Sequence, residues 1–331
     1  MAQGVGYTIA AFGPLPVGLI RDRTGGCAAT AFLFVALALG AAIVAMGAGR
    51  ALHVGARTIR VSGGPEVERC GQGISPYLCC CAEQKEISHG QREIEAKTPD
   101  GVARAGLFRS TDKVRAGVIL YMDAFGPRPA LDQMAERLAG QGYVVLVPDL
   151  FYRAGAYGPF DAKTAFAEEK TRTELRALIG GTTQAMTMRD TGAFIEALVA
   201  EGVSGSIGTV GYCMGGSRAL NAAAAQPDRI VAAASFHGGN LAGDAPDSPH
   251  RNAARLKARV YVGSAGVDGS FPPEQSALLA EALRSAGVDH IIENYVGMGH
   301  GWCVPDHGVY DAAGAERHWK RLLTLFDETL G

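Results

Sequence analysis

The chain has 331 residues, 47% of them hydrophobic and only 19% charged, with a formal net charge of −2. That composition excludes wholesale disorder, and the near-neutral balance excludes a polycation that wraps nucleic acid. The 45 glycines follow no G-x-y period, so they mark turns rather than a collagen helix.

Two compositions are joined in this chain. Residues 1–84 carry six arginines, no lysine and four acids, so the remainder holds a net charge of −4. Residues 1–20 are uncharged, and a second uncharged run of 23 residues covers 27–49. A helix needs about 20 apolar residues to cross the hydrocarbon core, so the second run is long enough. The first is interrupted by Gly4, Gly6, Gly13, Pro14, Pro16 and Gly18. Membrane helices tolerate such residues where neighbours pack against them. Residues 1–50 are therefore expected to form two transmembrane helices. A secretory signal would place its apolar stretch near its own N-terminus, whereas here 20 uncharged residues come first.

Arg50, Arg57 and Arg60 follow the second run, against Arg21 and Arg23 in the loop. The excess of positive charge points to a cytoplasmic C-terminal portion. The expectation is a membrane-anchored protein with its catalytic domain in the cytoplasm. If residues 1–84 are a fusion scar or a wrong gene start, the protein is simply cytoplasmic. The stretch MAQGVGYTIAAFGPLPVGLIRDRTGG, with the apolar run after it, resembles the last two membrane helices of major facilitator transporters, particularly cyanate-transporter-like members. This resemblance covers residues 1–55 only and implies no transport activity. Residues 51–86 read as a linker. Cys70, Cys79, Cys80 and Cys81 show no C-x-x-C spacing and no nearby His, so no metal site is expected.

From residue 87 onward the pattern alternates strand and helix. Residues 91–97 and 102–109 flank Thr98-Pro99-Asp100-Gly101, a hairpin signal. The apolar run 116–122 suits a buried strand. A helix over 130–139 and a strand over 143–147 follow, then mainly helical sequence over 161–201, broken at Gly180-Gly181. Tyr152, Tyr157, Phe160 and Phe166 in this region either wall a pocket or pack a helix. The strand 207–212 leads into a helix over 214–225. Strands over 230–236, 259–263 and 290–295 complete the set, with a helix over 274–286. In the last helix Trp319, Leu322, Leu323, Phe326 and Leu330 form one apolar stripe. An opening hairpin followed by βα alternation predicts a mostly parallel sheet with helices on both faces. No G-x-G-x-x-G or Walker A motif opens a helix, so no nucleotide cofactor is expected.

The chemistry points to Cys213. Gly211-Tyr212-Cys213-Met214-Gly215 stands between a strand and an Ala-rich helix, the setting of the G-x-S-x-G nucleophile elbow with Cys in place of Ser. The helix N-terminus favours the thiolate, and the Met214 N–H is placed as an oxyanion donor. A buried structural cysteine before a glycine turn would look the same locally. The rest of the chain favours a triad, which runs nucleophile, acid, His in this fold. Asp268 and His300 follow the next strands in that order, each in a glycine-bearing loop. His237 reads as structural or pocket-lining. His250, His290, His307 and His318 read as solvated or locally hydrogen-bonded.

GTVGYCMGG, SAGVDGSFPP and GMGHGWCVPD, with YMDAFGPRP and GYVVLVPDLFYR upstream, resemble the dienelactone hydrolase (carboxymethylenebutenolidase) family of α/β-hydrolases. The resemblance spans 87–331 and implies an α/β-hydrolase fold and a Cys213–His300–Asp268 triad. It also implies a second oxyanion N–H at Ala124 and no cofactor. Asp123 stands where dienelactone-cleaving members carry a glutamate that contacts the resting cysteine. Arg153 matches one of two arginines that hold the substrate carboxylate in those members; at the other position, four residues after His300, this chain has Val304. Tyr152 and Trp302 are further substrate-binding candidates. The expected function is cysteine-dependent hydrolysis of a small ester or lactone, with no metal and no nucleic-acid partner. The alternatives are a general short-chain carboxylesterase and a catalytically silent, membrane-tethered hydrolase fold.

Overall fold

The computed structural model describes residues 90–110 and 114–331. Eight strands form one sheet in the order β1-β2-β4-β3-β5-β6-β7-β8. Strands β1 (Gly90–Thr98) and β2 (Gly101–Arg109) make the predicted antiparallel hairpin, and β2 pairs antiparallel with β4 (Val144–Pro148). All remaining pairings are parallel: β3 (Gly117–Tyr121), β5 (Ile207–Tyr212), β6 (Ile230–Phe236), β7 (Arg259–Val267) and β8 (His290–Gly299). Every residue of β3, β4 and β5 is buried. Successive side chains on a strand point to opposite faces, so both faces of the sheet are covered.

The helices are α1 (Pro129–Ala139), α2 (Glu169–Gly181), α3 (Gln184–Ala200), α4 (Met214–Ala225), α5 (Pro273–Ser285) and α6 (Ala312–Thr329). In α6 the stripe read from sequence buries Trp319, Leu322 and Phe326, and Phe326 meets Tyr143 edge-on at 5.6 Å. The helical stretch expected from residue 161 begins only at Glu169. Asp161 Oδ1 accepts from the Lys163 N–H at 2.8 Å, a local turn that competes with helix. The break after Gly181 is present, and α3 restarts with Thr183 accepting from the Met186 N–H at 3.2 Å. Strands β7 and β8 run four residues beyond their expected ends, pairing again at Val267 and Gly299 after a register shift. Their extension brings Asp268 and His300 to the very ends of the strands.

β3 connects to β4 on one side, and the chain then crosses to place β5 on the other. The crevice between the C-terminal ends of β3 and β5 is thus the topological switch point, where open α/β sheets bind ligands. The elbow is forced into shape there. Cys213 holds φ 53°, ψ −117°, and a Cβ on Gly215 would collide with the Tyr121 and Met122 carbonyls. Gly215→Ala is expected to cost roughly 1–3 kcal/mol through overpacking against backbone that cannot retreat. Urea unfolding checks this, and a wild-type midpoint would show that β3 yields.

One expectation changes here, and others fall outside the structure. Residues 1–50, the linker 51–86 and the cysteines at 70 and 79–81 lie outside the described residues. Among the described residues no helix is long and apolar enough to cross a membrane. Membrane anchorage of the catalytic domain is therefore withdrawn. The physical reason is that charged residues interrupt every helix from α1 to α6 well short of a spanning length.

Candidate active site

Cys213, Asp268 and His300 stand at the C-terminal ends of β5, β7 and β8. His300 Nδ1 is 2.7 Å from Asp268 Oδ2, and His300 and Cys213 line the same cavity. Asp268 is nearly enclosed, at 4% side-chain exposure, and its other oxygen accepts from the Ser270 N–H at 2.8 Å and Oγ at 2.6 Å. Burial pushes against the charged form of Asp268, yet His300 and Ser270 outweigh it and hold its pKa below the ordinary value. Burial likewise opposes charge on His300, and the bonds to Asp268 and Cys213 reverse this and raise its pKa to about 10.

That shift couples the imidazolium to folding. A histidine raised from 6.5 to about 10 contributes stability that is fully present below pH 6.5 and is lost as pH rises through 10. The melting temperature of His300→Gln is therefore expected to lie furthest below wild type under pH 6.5, with the gap closing toward pH 10. A gap that widens with pH would contradict the assignment.

Above Cys213 lies a cavity of about 520 Å³. Ala124 and Met214, the expected oxyanion donors, both line it with Cys213 and His300. The Met214 N–H lies in the first turn of α4, where N–H groups have no intrahelical acceptor. Below Cys213, His237 is buried with φ 40°, and its Nδ1 accepts from the Cys213 N–H at 3.1 Å. Burial and the neighbouring His300, His307 and His318 push its pKa well down, so its neutral form accepts that bond. Its ring meets His300 at 4.9 Å and Trp302 at 5.3 Å, both edge-on. His237 is therefore a support under the elbow.

Several expected substrate contacts are placed elsewhere. The Arg153 guanidinium is taken by Asp100 at 2.7 Å and Asp190 at 2.8 Å, and stacks on Tyr152 at 4.4 Å. The Tyr152 hydroxyl bonds Thr98 at 2.5 Å. Neither residue lines the cavity. Trp302 is fully buried against Tyr295 and His237, and Val304 is buried too. Asp123 is fully buried and held by a bidentate Arg128 at 2.7 and 2.9 Å, by His307 Nε2 at 3.1 Å and by the Phe125 N–H at 3.0 Å. Its carboxylate thus stiffens the loop that carries Ala124 instead of bordering the cavity.

The 152–182 region divides between the two readings weighed for it. Phe166 lines the cavity, while Tyr157 packs on Phe151 and Phe160 and donates to Asp149 at 2.7 Å. His318 is buried, bonding Tyr212 at 2.9 Å, so it is not solvated. His307 lines the cavity and reaches Asp123 across 184 residues. Sequence reasoning also missed Lys163, Gln184 and Arg218, all on the cavity wall. Arg218 had one signal: it is the only charged residue in a helix otherwise built of small and apolar residues. Its pKa is pulled down to about 10 by burial. Among the described residues no cluster of three or more His, Cys, Asp or Glu could hold a metal ion.

The sheet, its helices and the strained strand-to-helix turn at Cys213 define an α/β-hydrolase-like fold. The comparisons agree and narrow the class. Residues 104–330 match the model of the dienelactone hydrolase family, and the chain belongs to that family. A carboxymethylenebutenolidase homologue of Escherichia coli O157:H7 is 30% identical over 221 residues, covering 64% of this chain and 76% of its own. The carboxymethylenebutenolidase of Rhodococcus opacus is 28% identical over 220 residues, 64% of this chain and 81% of its own. Among solved structures, a dienelactone hydrolase-like promiscuous phosphotriesterase from metagenomic libraries is 26% identical with a TM-score of 0.60, covering 73% of this chain and 99% of its own. Membership makes the chain a hydrolase enzyme. The family match begins at residue 104 and lends no support to the transporter resemblance of residues 1–55.

Proposed function

We propose that this chain is a cysteine-dependent hydrolase of small esters or lactones, acting through Cys213, His300 and Asp268, with the hydrolase domain spanning 87–331. The observation that carries this reading is the 2.7 Å bond from His300 to Asp268, on an imidazole that lines the same cavity as Cys213. Asp268 fixes the imidazole tautomer and stabilises its protonated form. The Cys213 thiolate attacks the carbonyl carbon, and the N–H groups of Met214 and Ala124 receive the oxyanion. His300 gives its proton to the departing alkoxide, leaving a thioester. His300 then takes a proton from water, whose oxygen attacks the thioester carbonyl. Collapse of that second intermediate releases the carboxylic acid and restores the thiolate. No step calls on a metal or organic cofactor.

The test is hydrolysis of cis-dienelactone and of a neutral 4-nitrophenyl ester by the full chain beside Cys213→Ala. Cysteine-dependent cleavage of either supports the mechanism. Equal cleavage by both proteins, or by neither, would remove it.

A further inference from the structure

Asp268 has a partner to which the mechanism above gives no part. Its Oδ2 takes the His300 Nδ1–H at 2.7 Å, and its Oδ1 accepts twice from Ser270. The backbone N–H bond at 2.8 Å closes an ordinary turn over Asp268-Gly269-Ser270. The hydroxyl bond at 2.6 Å comes in addition, and the turn does not require it. With its proton committed to Asp268, Ser270 Oγ presents only lone pairs to His300 Nδ1, 3.3 Å away. Nδ1 therefore faces two acceptors and carries the proton, which leaves Nε2 as the base nitrogen. Ser270 is itself held in place. Its carbonyl accepts from the Asn240 N–H at 2.8 Å, and a Cβ on Gly239 would stand 3.1 Å from its Oγ.

We propose that Ser270 is a positioning residue for deacylation, its hydroxyl drawing charge onto Asp268 Oδ1 so that the Asp268–His300 pair does not grip the imidazolium proton too tightly. The proposal rests on the hydrolase reading of Cys213, His300 and Asp268. Once the acyl group is on sulfur the thiolate charge is gone, and Asp268 is the anion that stabilises the imidazolium. His300 must then be neutral at Nε2 to take a proton from water. A carboxylate without a donor on Oδ1 is the stronger base, so it raises the pH at which the imidazole becomes neutral. The hydroxyl lowers that pH. Ser270 is among the groups that hold the Asp268 pKa below its ordinary value, which agrees in sign. The other ionisable groups around His300 are Cys213 after β5, His237 after β6 and Lys163 on the cavity wall. Burial keeps His237 neutral, and none of the three changes when the Ser270 hydroxyl is removed.

The experiment follows kcat for a neutral 4-nitrophenyl ester against pH in wild type, Ser270→Ala and Ser270→Thr, all as full chains. A pre-steady-state burst marks deacylation as the slow step. Ser270→Ala is expected to move the acidic limb of kcat upward by roughly 0.5–1 pH unit, the shift that one net hydrogen bond supports. Above the limb kcat should approach wild type, and KM should hardly change. Ser270→Thr keeps the hydroxyl and should return the limb to its wild-type position. A limb that stays in place in Ser270→Ala, whether or not kcat falls evenly at every pH, overturns the assignment. A limb that moves downward overturns it as well.

Histidine NMR separates this from failure of the hydrolase reading itself. In Cys213→Ala the thiolate charge is absent, as it is in the acyl-enzyme, so His300 titrates against Asp268 and Ser270. Adding Ser270→Ala should raise its titration midpoint by the same roughly 0.5–1 unit. If the midpoint rises yet no ester is cleaved in a Cys213-dependent way, the role of Ser270 in the pair stands and the hydrolytic reading falls. Equal midpoints with and without the Ser270 hydroxyl overturn that role, whatever the turnover.

Discussion

Cys213→Ala is expected to lower kcat by about 10⁴–10⁶-fold on any ester or lactone that the wild type cleaves. The change removes only the sulfur. Cβ remains, and the strained turn at φ 53° is held by its surroundings: the Cys213 N–H to His237 and to the Phe236 carbonyl, and Gly215 against β3. The variant should therefore fold, with a melting temperature near wild type, and its lost turnover reports chemistry. What survives comes from the Met214 and Ala124 N–H groups and from substrate positioning, which lower the barrier without a nucleophile. Rapid-quench mass spectrometry supplies the second arm. Wild type should carry an acyl adduct on Cys213 during turnover, and the variant should carry none. A variant that keeps a tenth of wild-type turnover would show that the thiolate is not the attacking group.

The positions proposed as a triad could be singled out in the sequence because they depend on order along the chain. A parallel sheet delivers the C-terminal ends of its strands to one edge, so Cys213, Asp268 and His300, each just past a strand, arrive together whatever lies between them. Strands β5 and β6 and helix α4 have the bounds expected from the sequence. The cavity wall was not legible in this way. Arg153 is captured by Asp100 from the β1–β2 turn and by Asp190 from α3, and nothing near Arg153 in sequence announces either acid. Asp123 meets His307 from the far end of the domain. Arg218 is exceptional in its helix, but what makes it a cavity residue is the α2–α3 junction, whose Thr182 carbonyl fixes the guanidinium. These are meetings between distant segments, and pattern along one segment does not encode them.

The network around Asp123 carries the second large effect. Arg128 binds Asp123 at 2.7 and 2.9 Å and Asp306 at 2.6 and 2.9 Å, so one guanidinium joins the loop after β3 to the segment after His300. Asp123 is 0% and Arg128 10% exposed, and removing one partner of such a pair leaves a charge buried without compensation. Arg128→Met is accordingly expected to destabilise the protein by about 3–5 kcal/mol in urea unfolding. Burial alone would raise the Asp123 pKa, but His307 and Arg128 outweigh it and hold it below 3.8. The pair's contribution is thus present above pH 3.8 and fades as pH falls through that lowered value, so the gap between wild type and variant should narrow in acid. The double variant Asp123→Asn/Arg128→Met removes both charges and should regain most of the loss. If it stays as unstable as Arg128→Met, the cost lies in lost packing and not in the stranded carboxylate. Because Ala124 follows Asp123 directly, the same double variant also tests the oxyanion role proposed for the Ala124 N–H. A recovered stability with turnover still depressed would place the function of this ion pair in aiming the Ala124 N–H.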